Sequence, residues 1–198
     1  MRTRFADAHQ PLLFQPVASE LPFPLTQVVE QVRAVHFEDI ESELEVRVAD
    51  AGPLAFIRHD FMGKGSHLIV FHPVLNHPET PVEVVRFIAK HELTHIVCPG
   101  SEIGGYWEPH DDAFWEYEAA IAPERSAAWA WINKNLRRCL RDSRYGLRVS
   151  RRWRDFRDKP RSPYEPTLPF HSGRWEPFCP GDGAQLRLPA SWVVGPQP

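Results

Sequence analysis

Cysteine is scarce in this chain. Three occur in 198 residues, Cys98, Cys139 and Cys179, and none pairs with another as Cys-x-x-Cys. A disulfide scaffold and a cysteine-built zinc ribbon are both excluded by that spacing. Long apolar runs are also missing: none approaches the ~20 residues that a membrane helix requires. The basic start MRTRFADAHQ is not followed by the apolar core of a secretory signal. The expectation is a cytoplasmic chain with no membrane partner. Internal repeats are absent, and Gly63-Lys64-Gly65 reads as a turn, because the rest of a phosphate-loop motif is not there. The hydrophobic content of 42% suffices for a packed core.

What the chain does have is His91-Glu92-Leu93-Thr94-His95, an H-E-x-x-H pattern. A helix turns once in about 3.6 residues, so residues four apart share a face. His91 and His95 can then offer two imidazoles to one metal ion, with Glu92 one step round the helix as a base. The flanking sequence supports a helix over 81–97. Val84, Val85, Ile88 and Ile96 form an apolar stripe, and Pro81 suits a first turn. Thr80 is expected as N-cap, with Glu83 completing a capping box. Pro99-Gly100 marks the stop.

A catalytic zinc usually takes three protein ligands and keeps a fourth position open. His110 is the best third ligand, because it lies just past the loop SEIGGYWEP and just before a second helical pattern. Glu116 and Glu118 are the rivals, and either would make a His/His/Glu site. Asp111 and Asp112 read either as carboxylates orienting a ligand imidazole or as charges favoured at a helix start. Cys98, three residues past His95, reads as an ordinary thiol.

HELTH followed by His110-x-x-x-Phe114-Trp115 resembles the SprT-like and YgjP-like zinc metallopeptidases, as does the stretch Ile69–Leu75 before the HExxH helix. The resemblance spans about residues 25–140. It implies a zincin-like core, Zn(2+) as cofactor, and peptide-bond hydrolysis. It makes His91, His95 and His110 the metal ligands and Glu92 the general base on a zinc-bound water. It also implies that an edge strand, placed at 66–72, binds substrate by strand addition, with His67 and His72 bordering the cleft. Tyr106 and Tyr117 flank the His110 segment and are candidates for a second donor to the oxyanion. The chain departs from SprT-like proteins in lacking the cysteine-rich ribbon, and its connection from His95 to His110 is longer and more aromatic than a minimal loop.

The coarse reading is an α+β domain. It has an N-terminal helix over 25–37, strands at 44–48, 54–57 and 67–71 in a small sheet of three strands or slightly more, the HExxH helix, and helices at about 111–121 and 123–141. Residues 1–142 are expected as the metallopeptidase domain, with 1–24 as an extended lead-in. Residues 143–198 are expected as an extension, rich first in arginine and then in proline and aromatics, that packs on the core.

Charge divides the chain. Residues 1–120 carry 8 basic and 19 acidic side chains, and residues 121–198 carry 15 and 7. The arginine-rich 137–161 segment reads either as a surface for nucleic acid or another acidic partner, or as a wrap that neutralises the acidic core. Two functions follow. The first is a zinc-dependent metallopeptidase acting on a peptide or protein substrate. The second is a catalytically silent zincin-like binding module whose basic segment contacts nucleic acid or a protein.

Overall fold

The computed structural model describes residues 24–60, 65–143 and 146–166. The expected lead-in before residue 24 and the tail beyond 166 lie outside them. The chain is α+β, as expected. Helix α1 (Leu25–His36) is followed by β1 (Leu44–Val48), β2 (Ala55–His59) and β3 (His67–Phe71), a 3-10 turn (Pro73–Leu75) and α2 (Val82–Val97). Then come β4 (Ser101–Ile103), β5 (Tyr106–Glu108), α3 (Asp112–Ile121), α4 (Arg125–Leu136), β6 (Leu140–Ser143), β7 (Gly146–Val149) and a 3-10 helix (Arg151–Phe156). Among the described residues no helix is long and apolar enough to cross a membrane.

The first three strands form one sheet in the order β1-β3-β2, with β1 parallel and β2 antiparallel to β3. Strand β3 is therefore central, which corrects the assignment of 66–72 as an edge. Its neighbours take both rows of its backbone hydrogen bonds, so it has no row left for an added strand. Its sequence agrees: Leu68 to Phe71 are all buried, whereas β1 and β2 are half-covered. The edges are β1 and β2.

One face of the sheet packs on α1 and α2. Val28, Val29 and Val32 of α1 meet Ile69 and Phe71 of the sheet and Val84, Val85, Ile88 and Leu93 of α2 in one core. Helix α2 starts at Val82, with Pro81 as its N-cap. The Thr80 capping box does not form, and the Thr80 hydroxyl is buried without a hydrogen-bond partner. Pro81 takes the extended backbone of an N-cap (ψ 138°), which moves Thr80 one residue too far out to reach the first turn.

The helix expected over 123–141 stops at Leu136, and the chain enters the β6–β7 hairpin. Leu136 and Leu140 are both buried at helical spacing, but Leu140 reaches the core as the ladder partner of Val149. Val149 and Trp153 share the main core with α1 and α2. The domain boundary expected at 142 thus falls inside a hairpin, and described residues on its far side pack against the near side.

Part of the arginine-rich segment is tied down here. Arg154 lies 2.7 Å from Asp50, and the Trp153 indole donates to the same carboxylate at 3.1 Å. Arg161, buried, donates to the carbonyls of Asn135 and Phe156. Arg137, Arg138, Arg141, Arg151 and Arg152 remain exposed.

Candidate metal centre

Helix α2 carries His91 and His95 one turn apart, with ring centroids separated by 5.2 Å. The chain leaves α2 at Cys98, turns through Gly100, runs out and back along the β4–β5 hairpin, and returns to place His110 over both. The His110 centroid is 5.1 Å from His91 and 4.7 Å from His95. One ligating nitrogen from each of the three lies within 4.8 Å of the others. The sequence-predicted set is thus brought together, close enough to hold one metal ion.

Several contacts fix this return. Gly100 has φ +93°, and a β-carbon there would overlap the Glu108 carbonyl oxygen and lie 2.7 Å from Pro109 Cα. Glycine is required because helix exit and His110 approach touch at that point. The Glu108 carboxylate accepts from the His110 N–H at 3.2 Å, and the Asp111 side chain caps α3 by accepting from the Phe114 N–H at 3.0 Å. Asp111 and Asp112 are helix-start carboxylates, the second of their two readings. Two of the three aromatics of α3, Phe114 and Trp115, wall the imidazoles. Phe114 sits 4.6–5.0 Å from all three rings, and Trp115 stacks on His110 at 5.2 Å.

Glu118 is not placed as a ligand. It is fully buried on α3, and its Oε1 lies 2.6 Å from His91 Nδ1. That contact puts a proton on Nδ1, while Nε2 turns to His110 Nε2, 3.2 Å away. Arg125 Nε lies 3.0 Å from the other Glu118 oxygen and stacks its guanidinium 4.6 Å over Trp115. Glu116 is exposed. The role of Glu118 was readable in part: Phe114, Trp115 and Glu118 fall on one helical face, and a carboxylate on an apolar face needs a partner.

The electrostatics favour neutral nitrogen at two of the three imidazoles. Burial, with His91 and His110 adding, presses His95 down to about 2. Burial, with His91 and Arg125 adding, presses His110 down to about 3. Burial lowers His91 too, but the Glu118 carboxylate more than offsets this and holds its proton affinity above the ordinary value. Glu92 is buried, and that burial raises its carboxyl to about 7, against the opposing pull of His91 and an N–H bond from Ile57. Ile57 belongs to β2, so the edge strand beside the site is β2, not 66–72.

None of the remaining candidates joins the three-histidine cluster. His72 is buried with both nitrogens committed, Nδ1 to the Val74 N–H and Nε2 to Asp50, so none is left for a substrate. His67 begins β3 and packs edge-on against His59 at 5.2 Å. The Tyr117 hydroxyl donates to the His36 carbonyl at 3.1 Å and its ring packs on Phe37. That hydroxyl is spent on joining α3 to α1. Tyr106 is 81% exposed on β5. No family model, curated protein or solved structure matches this chain.

Proposed function

We propose that this protein is a zinc-dependent metallopeptidase with a zincin-like core. The observation that carries the reading is Glu92: a buried carboxyl raised to about 7, on the same turn as His91, beside three converging imidazoles. A purely structural metal site has no use for such a group, and burying it costs free energy. Three neutral imidazoles with a carboxylate behind one of them fit zinc, which accepts nitrogen ligands and keeps a position open in catalytic sites. His91, His95 and His110 would hold the ion. Zinc so held supplies positive charge that acidifies water toward pKa ~7 and polarises a carbonyl.

The chain's own residues supply the rest. The Glu92 carboxylate would take a proton from water acidified by a bound zinc and return it to the departing amine. Glu118 keeps the His91 ring in one tautomer and orientation. Phe114 and Trp115 hold the rings against rotation and exclude bulk water from their faces. The open edge of β2, which reaches Glu92 through Ile57, is where an extended substrate would add as a strand.

Glu92→Gln tests the reading. The zinc-loaded variant should keep its metal and lose hydrolysis of an unfolded protein substrate by at least ~100-fold. Equal hydrolysis by both proteins would refute the role of Glu92, and none by either across a broad panel of unfolded substrates would favour the silent binding module.

A further inference from the structure

The connection between the second and third histidines is a hairpin that carries unpartnered apolar groups. Of the large apolar side chains exposed among the described residues, Ile103 (57%), Tyr106 (81%) and Trp107 (63%) all sit on β4–β5. Ile103 and Tyr106 are ladder partners and share one face, while Trp107 stands opposite Glu102 on the other. Gly104 and Gly105 turn the tip with positive φ, as a tight two-residue hairpin requires. Exposing three such groups on the eight residues of Ser101–Glu108 costs solubility and needs a reason.

The hairpin's position gives one. Its stem is held by the Glu108 bond to His110 and by the fit of Gly100 against Glu108 and Pro109. Tyr106 is four residues from His110, which keeps it within about 14 Å of that ligand along the chain. An apolar clasp is therefore fixed beside the metal centre.

Charge decides what the clasp fits. From His91 to Glu124 the sequence contains no lysine and no arginine. Glu102, Asp112 and Glu116 are exposed in that stretch, and Glu108 is half-buried. An anionic membrane or nucleic acid would be repelled, whereas cationic side chains would be attracted and could lay their stems along the aromatic rings. We infer that the β4–β5 hairpin docks an extended polypeptide bearing lysine or arginine next to apolar residues. This rests on the peptidase reading and names the substrate class of that site.

The test uses the full zinc-loaded chain with Glu92→Gln, so that peptide is bound and not consumed. Three fluorescent peptides of equal length are compared by anisotropy: Lys/Arg with Phe/Leu, Asp/Glu with Phe/Leu, and Lys/Arg with Gly/Ser. The first should bind at least ~10-fold more tightly than the other two. Adding Tyr106→Ser and Trp107→Ser should cut that binding ~10-fold or more with zinc content and circular dichroism unchanged. Equal binding of the acidic peptide, undiminished binding after the double change, or no binding of the first peptide would each overturn the inference. So would a chain dimer that dissolves on the double change, since a second copy would then be the occupant. Tight binding of the first peptide without its cleavage by wild type would sink the peptidase reading alone. Cleavage of unfolded protein that ignores Tyr106 and Trp107 would sink the hairpin inference alone.

Discussion

Glu118→Gln probes the least expected part of the centre. The amide keeps the size of the side chain and one acceptor for the His91 Nδ1–H, but it removes the charge that makes the 2.6 Å contact strong. It also strips Arg125, whose side chain is only 16% exposed, of its carboxylate partner. Loss of an outer carboxylate behind a ligand histidine lowers metal affinity by about 10- to 100-fold, or about 1.4–2.7 kcal/mol. The stranded Arg125 adds a folding penalty with an upper range of about 3–5 kcal/mol for breaking a buried pair. Zinc affinity is read by competition with a chelating dye, and stability by thermal unfolding with and without zinc. Arg125→Met beside Glu118→Gln should recover part of the stability and none of the zinc affinity. A folded Glu118→Gln protein with wild-type zinc affinity would refute the orienting role.

Two further predictions concern the scaffold. Gly100→Ala should cost about 1–2 kcal/mol for its positive φ and about 1–3 more for crowding Glu108 and Pro109, and it should weaken zinc binding because it displaces His110. Gly104→Ala also has positive φ but meets nothing within 4 Å, so it should leave zinc affinity unchanged in the same titration. The second prediction is acid sensitivity around Asp50. Burial lowers His72 below its ordinary 6.5 and keeps it neutral in the fold. Burial would raise Asp50, but the Trp153 and His72 hydrogen bonds outweigh it and hold the carboxyl below 3.8. The unfolded chain therefore binds more protons at both groups. The stability from His72 is present above pH 6.5 and is lost as pH falls below it, and that from Asp50 goes as pH falls below 3.8. Urea unfolding from pH 7.5 to 5 should show a shallower decline for His72→Gln than for wild type, and parallel curves would contradict this.

The three-histidine cluster was legible because chemistry and periodicity coincide there: a four-residue spacing puts His91 and His95 on one face, and His110 sits beside a helix start. The first three strands were legible from runs of β-branched and aromatic residues bounded by turn residues. Their order was not, because nothing in the spacing of 44–48, 54–57 and 67–71 says which strand is central. The two hairpins were hidden for different reasons. Gly104-Gly105 marks a hairpin turn, but only three residues flank it on each side, too few for alternation to show. At Leu136 and Leu140 a true helical spacing continues past the helix end, since the core is reached again by a strand. Glu118 was visible as a carboxylate near the site, but its direction was not: ligand and orienter lie at similar spacing from His110, and only the packing of α3 on α2 separates them.

The most direct test of the three-histidine centre is zinc content by elemental analysis, on wild type and on His110→Ala purified without added metal. About one zinc per chain is expected in wild type and little or none in the variant, with both proteins folded. Wild type free of zinc that also fails to take it up on titration, or His110→Ala with zinc undiminished, would contradict it.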